Sequence, residues 1–467
     1  MDLPDPAALP RSTPGEQGVD GAGVDRFVEA VAPLDGVELH SLMVLRHGHV
    51  VAERWWQPYD PRTPHLLYSL SKSFTSTALG FAVDEGLVDL DATVLSYFPE
   101  FDAAVTGERS RSIRVRHVAA MASGHDDETI ERAMVAGNGD MLLGFLLVPP
   151  EREPGTIFAY NQPCTYALSA IIQRVSGESL TAYLQPRLFD PLGITGAGWR
   201  RDKRGRELGY AGLYLPTEAI AKLGQLYLRD GEWAGRRLLS AEWVAQATRS
   251  HVATHSPDPD WDQGYGFQFW RSRHGYRGDG AYSQLMLVLP EADAVVAITS
   301  QSPDTPGLLD ALWTHLLPAL TADGVASAPR SGTLSTADGC LPGPAGGRPP
   351  GDLGPMTFRA GAANEINGLH TVRLDGATGP GGEIRLADGG PEVVAALGAP
   401  DAWTRTGPVA TASAWAGGRL HVDLVFVETP HRLHLRLDPA AGTFDAHWQT
   451  VPLGEPPLSK LRTPKTS

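Results

Sequence analysis

Ser69 and Lys72 stand three residues apart in Leu67-Tyr68-Ser69-Leu70-Ser71-Lys72-Ser73-Phe74-Thr75. On a helix that spacing puts both side chains on one face. A serine hydroxyl is a weak nucleophile until a base takes its proton. A lysine can be that base once its surroundings lower its pKa. The pair is the S-x-x-K motif of active-site serine acyl-transfer enzymes. Lysines are few (Lys72, Lys203, Lys222, Lys460 and Lys465), and only Lys72 has a serine three positions before it. Alone, the motif also fits the polar first turn of an ordinary helix whose second half (Ala78, Leu79, Phe81, Ala82, Val83) is core. Its context decides.

Length and composition narrow the classes. A chain of 467 residues holds one large domain plus a smaller one. A net charge of -15 argues against nucleic acid and anionic membrane surfaces as partners. Cys164 and Cys340 are the only cysteines; they make no disulfide framework, and no Cys/His spacing suggests zinc. The first residues lack a basic and an apolar region of signal-peptide type, and no apolar run reaches membrane-spanning length. The expectation is a cytoplasmic protein with no metal and no cofactor.

The elements that must position the pair follow from periodicity. Residues 41–46 and 49–55 form a hairpin around His47-Gly48, whose histidines read as turn residues. Helices are expected at 24–31, from Ser69 to Gly86, at 89–98, 113–123, 165–175, 178–189, 217–228, 241–248 and 308–320. Asp126 and Asp127 sit where a helix N-terminus is expected, which explains the acidic run His125-Asp126-Asp127-Glu128 better than a metal does. Strands are expected at 265–270, 283–289 and 294–299. The economical fold is α/β (α+β): an antiparallel sheet joining the early hairpin to the late strands, flanked by helices, with an all-α subdomain between. Residues 1–320 form this domain. Residues 321–355, rich in Gly, Pro, Ala and Ser, form a linker. Residues 356–467 alternate apolar and polar and form a small antiparallel β sandwich or barrel. No catalytic constellation stands out in that last part, and its histidines read as solvent-facing.

Over about residues 10–320 the chain resembles the serine β-lactamase-related hydrolases: class C β-lactamases, D-alanyl-D-alanine carboxypeptidases, family VIII carboxylesterases and 6-aminohexanoate-dimer hydrolases. The Ser69–Lys72 box carries the resemblance. Val115-Arg116-His117 through Gly124, Gly209 through Leu213, and Leu223 through Trp233 support it. The family's second box, Tyr-x-Asn, falls on Tyr160, with Gln162 where the asparagine usually stands and Asn161 beside it. The third box, usually Lys-Thr-Gly or His-x-Gly on a strand, falls on Gly278-Asp279-Gly280. Gly280 keeps the box's glycine, which lets the strand approach substrate. The cation is replaced by Gly278, and Arg277 falls on the opposite strand face.

The resemblance implies a serine hydrolase cleaving a carboxylic ester or amide through an acyl-enzyme on Ser69, with Lys72 and Tyr160 moving protons. The backbone N–H groups of Ser69 and Ala281 would form the oxyanion hole, and Gln162 and Gly280 would bind substrate. The missing cation would cost a bound carboxylate on the order of 1.5–3 kcal/mol. That moves the expectation from β-lactams and D-amino-acid peptides, the alternative, towards a small neutral ester or amide. An acyltransferase and a non-catalytic acyl-binding protein remain alternatives, and sequence leaves the oligomeric state open.

Overall fold

The computed structural model describes residues 7–321, 334–335, 339–348, 351, 353–376, 382–399 and 402–464. Most of the 321–355 linker therefore lies outside the described residues. Four long strands carry the first sheet: β1 (Glu38–Arg46), β2 (His49–Gln57), and, far along the chain, the strands at 284–289 and 294–301. The hairpin closes at His47 and Gly48, both left-handed (φ 50° and 78°), as a two-residue turn of this kind requires. A short strand β3 (His65–Leu66) precedes helix α2 (Ser71–Asp84), and helix α1 (Gly21–Val31) precedes β1. Then come α3 (Gln162–Ser176), β4 (Leu213–Leu215), α4 (Thr217–Leu228), β5 (Trp270–Arg271), β6 (Tyr276–Gly280), β7 (Gln284–Leu289), β8 (Ala294–Gln301) and α5 (Thr305–Ala311), which runs on through 321.

The sheet order is β2-β1-β8-β7-β6-β5, and β1 pairs antiparallel with β8 (Val44 opposite Val296). The early hairpin thus joins the late strands, as expected. From the linker stretch, Leu334–Ser335 and Gly339–Cys340 each add a short parallel pairing along β2. Alternate residues of β1 serve two cores. Met43 and Leu45 face α2 and α4 with Phe74, Leu223 and Leu226, whereas Leu42 and Val44 face α1 and α5 with Phe27, Leu308 and Leu312. Burial on both faces explains why β7 and β8 read as continuous apolar runs.

The second sheet has nine strands: β9 (Met356–Ala360), β10 (Thr371–Asp375), β11 (Glu383–Ala387), β12 (Val393–Ala396), β13 (Thr404–Thr406), β14 (Val409–Ala416), β15 (Arg419–Phe426), β16 (Arg432–Asp438) and β17 (Thr443–Trp448). Its order is β12-β11-β10-β9-β17-β16-β15-β14-β13. Thr406 and Thr411 hydrogen-bond to Ala396, so the two ends meet and the β domain is nearly closed. Its interior is apolar, with Phe358, Val372, Leu386, Leu424 and Leu435.

Several local expectations need correction. Residues 89–98 hold only a 3₁₀ turn at Val94–Tyr97, and the 113–123 helix shrinks to Val115–Ala119. The helix after the acidic run starts at Ile130, beyond Asp126 and Asp127, which instead pair with Arg152 and Arg132. Tyr265–Trp270 is not a strand: Gln268 is left-handed (φ 67°) and breaks the run, and the aromatic rings pack on one another. Both cysteines are free. Among the described residues no helix is long and apolar enough to cross a membrane.

Candidate active site

Ser69 lies in a 3₁₀ turn (Tyr68–Leu70) that feeds directly into α2. The turn is fixed from several sides. Strand β3 pairs with β4, and Leu67 N–H donates to Leu213 O at 2.9 Å. Ser71 Oγ donates to Tyr68 O at 2.6 Å and accepts from Leu213 N–H at 3.1 Å. Tyr68 adopts φ 47°, an unfavourable conformation for a bulky residue.

Lys72, the second residue of α2, is 2% exposed. Its Nζ lies 3.1 Å from Ser69 Oγ, 2.6 Å from Gln162 Oε1 and 2.9 Å from Tyr210 O. None of these partners is a carboxylate. Burial therefore lowers its pKa to about 7, against the weaker opposing pull of Glu128 and Asp279. Gln162 opens α3, and its backbone N–H donates to Glu128. Its side-chain amide, at the position where the second box usually has Asn, is turned towards Lys72. Asn161 turns away: its Oδ1 accepts from Thr129 N–H and Oγ1.

Tyr160 stacks on Trp270 (5.5 Å between centroids, 18°), and its ring centroid is 4.7 Å from Lys72 Nζ. Burial and the Asp279 charge raise the phenol's pKa, and a hydrogen bond with Ser69 opposes them. Tyr160 is therefore a neutral phenol beside a lysine that readily gives up its proton.

Strand β6 forms the opposite wall. A Cβ at Gly280 would stand 2.1 Å from Leu67 O, so only glycine lets the strand reach the Ser69 turn. A Cβ at Gly278 would stand 2.4 Å from Ser73 Oγ and 2.5 Å from Leu70 Cδ1. The missing cation thus has no space in the present packing. Arg277 takes the other face, as the strand alternation predicts. It is buried, lies over Trp261 (4.4 Å), and is bound to Asp279, Asp260 O and Ser272. Ala281 to Ser283 form the turn between β6 and β7. The Gln284 amide holds that turn by donating to the carbonyls of Ala281 and Tyr282, both at 3.1 Å.

The structure thus brings together Ser69, Lys72, Tyr160, Gln162 and the Gly280–Ala281 segment. Three neighbours went unseen in the sequence. The Tyr210 contact uses a backbone carbonyl, which no residue type signals; the left-handed Gly209 beside it, packed on Ser169, was the available clue. Glu128 read as part of a helix start, yet it bonds the Gln162 N–H. His431, expected among solvent-facing histidines, is fully buried and meets Tyr68. His125 is buried and bonded to Ser123 and Val148 O. No metal-holding group of three or more His, Cys, Asp or Glu occurs among the described residues.

Known proteins share this architecture. A sequence model of the family described as Beta-lactamase matches residues 27–321. The 6-aminohexanoate-dimer hydrolase of Paenarthrobacter ureafaciens is 26% identical over 292 residues, covering 56% of this chain and 73% of that protein. Penicillin-binding protein 4 of Amycolatopsis lactamdurans is 25% identical over 352 residues, covering 65% of this chain and 86% of that protein. Among solved structures, an octameric penicillin-binding protein homologue from Pyrococcus abyssi matches with a TM-score of 0.50 and 17% identity. That match covers 89% of this chain and 97% of the other, a likeness of fold that reaches beyond the first sheet.

Proposed function

The chain belongs to the beta-lactamase family of serine hydrolases, and from that premise we propose that Ser69 forms an acyl-enzyme with a neutral carboxylic ester or amide. One observation carries the reading: Lys72 Nζ is buried between two carbonyl-type acceptors and Ser69 Oγ, and no carboxylate hydrogen-bonds it directly. A neutral amine has two N–H donors and one lone pair. Gln162 Oε1 and Tyr210 O take the donors, leaving the lone pair for the Ser69 hydroxyl proton.

The steps follow. Lys72 takes the Ser69 proton as Oγ bonds to the substrate carbonyl carbon. The oxyanion rests between the N–H groups of Ser69 and Ala281, near the start of α2. Tyr160 protonates the departing alkoxide or amide nitrogen as the carbonyl re-forms, and Lys72 reprotonates Tyr160. Water then attacks the acyl-enzyme by the same relay, releasing the acid and restoring the Ser69 hydroxyl. Gln162 orients the base, and Gly280 lets substrate lie along β6.

The charge balance supports a neutral substrate. Gly278 carries no cation, Arg277 is spent on Asp279 and Asp260 O, and Glu128 and Asp279 lie close enough to act on Lys72. A carboxylate beside the scissile bond would meet these acids unpaired.

The test is a parallel screen of p-nitrophenyl esters, linear amides and a chromogenic cephalosporin on wild type and Ser69→Ala. The expected result is Ser69-dependent turnover of ester or amide, with Ser69 labelled by a fluorophosphonate. Ester turnover that survives in Ser69→Ala sinks the proposal, and cephalosporin turnover far above that of esters moves it to the β-lactamase branch.

A further inference from the structure

The two segments that would supply the oxyanion hole share a feature. Ser69 follows Tyr68 at φ 47°, and Ala281 precedes Tyr282 and Ser283 at φ 63° and 62°. Each such residue costs of order 1–3 kcal/mol and persists only where its surroundings hold it. Besides the first-domain bonds from Ser71 and Gln284, each segment has a holding group from the C-terminal β domain. The Tyr68 hydroxyl donates to His431 Nε2 at 2.6 Å, and the Tyr282 hydroxyl donates to Val451 O at 2.5 Å. The three rings pack edge to face: Tyr68 on Tyr282 at 5.3 Å, Tyr68 on His431 at 5.9 Å, Tyr282 on His431 at 5.1 Å.

The polarity of His431 is determined. Its Nδ1 lies 3.2 Å from Thr450 O, a pure acceptor, so Nδ1 carries the hydrogen. Nε2 then offers a lone pair, which the Tyr68 hydroxyl fills. Burial keeps the ring neutral, with a pKa lowered to about 3. Other ties cross the same boundary: Leu66 N–H to Glu428 O, Tyr59 to Thr429 O, and Arg405 to Asp60 and Thr63. The domains therefore do not depend on the two tyrosine hydroxyls to stay docked.

We infer that the C-terminal β domain sets the geometry of the acyl-transfer site. His431 acting through Tyr68, and the Val451 carbonyl acting through Tyr282, fix the spacing of the Ser69 and Ala281 N–H groups. The inference rests on the proposed role of Ser69. His431, Tyr68 and Tyr282 are positioning residues. Each acts on the backbone that presents a donor.

The experiment uses the full chain. Wild type, Tyr68→Phe, Tyr282→Phe, His431→Ala, His431→Gln and the remote boundary variant Arg405→Ala are compared for p-nitrophenyl butyrate hydrolysis, fluorophosphonate labelling rate and thermal denaturation. Displacing an oxyanion donor by a fraction of an ångström is expected to lower kcat about 10- to 100-fold in Tyr68→Phe and His431→Ala, with KM within about twofold. His431→Gln, whose amide oxygen can accept from Tyr68, is expected to recover part of kcat. Tyr68→Phe combined with His431→Ala is expected to be no worse than the worse single change, because both remove one bond. Arg405→Ala is expected to keep kcat. Normal kcat in Tyr68→Phe and Tyr282→Phe, beside a wild type labelled at Ser69, overturns the inference and leaves the acyl-enzyme reading standing. A wild type that the probe does not label at Ser69 overturns both. If His431→Ala fails to fold, the two Phe variants still decide.

Discussion

Lys72 and Arg432 are both long cations buried in this molecule, and their pKa values shift in opposite directions. Lys72 sits in the candidate site among a serine, an amide oxygen and a backbone carbonyl, so burial prevails and its pKa falls to about 7. Arg432 sits between the first sheet and the C-terminal domain. Burial would lower its pKa too, but the carboxylates of Glu38 (2.9 Å) and Asp423 (2.5 Å) raise it. The environment, more than depth, decides whether a buried cation keeps its proton. Around Lys72 the fold makes the proton easier to lose; around Arg432 it builds a staple, completed by His434 on Asp423 and by Trp403 under the guanidinium.

That contrast can be broken by experiment. The largest effect is expected from Ser69→Ala, which should cut kcat by at least about 10³-fold while leaving the fold intact. Next, Lys72→Met should lower kcat by about 10²–10⁴-fold yet melt no lower than wild type at pH 7. A melting temperature that collapses in Lys72→Met would show the lysine to be a structural cation like Arg432. Arg432→Met should do the reverse and destabilise the fold by about 3–5 kcal/mol in a denaturant titration, because two carboxylates lose their partner.

The fourth prediction concerns pH. Lys72 must be neutral to act, so kcat/KM should rise with pH through about 7 and fall about tenfold per unit well below it. The same shift bears on stability. The folded pKa lies below the unfolded value of 10.5, so the unfolded chain binds more protons between about pH 7 and 10.5, and this residue's contribution to stability rises with pH across that window. A profile flat from pH 5 to 8 would sink the assignment of the base. Smallest of all, His421→Ala, on an interior strand of the second sheet and far from Ser69 in sequence, should change stability by no more than about 0.5 kcal/mol and leave kcat as it was.

How much of this was legible in the sequence depends on range. The hairpin at 41–55 could be read because both faces of β1 are apolar and its turn is local. The Ser69–Lys72 pair could be read because a helix fixes three-residue spacing, and Gly280 because a close backbone approach demands glycine. Tyr265–Trp270 misled because aromatic residues favour strands, and nothing local shows that Gln268 turns the chain back. The acidic run at 125–128 misled in placement, because Asp and Glu suit helix starts, yet the helix begins later, at Ile130. Tyr210 was invisible because it acts through its carbonyl. His431 lies 363 residues from Tyr68, and no periodicity spans that distance.

The two glycines of β6 differ in what bounds them, and this shapes how the protein can change by descent. Gly280 abuts the backbone at Leu67, which no single substitution can move aside. The atoms nearest a side chain at Gly278 belong to the side chains of Ser73 and Leu70, which a rotamer change or a shortening mutation can move aside. Room for a larger residue at 278 therefore depends on Ser73 and Leu70 both giving way, and no such route is open at 280.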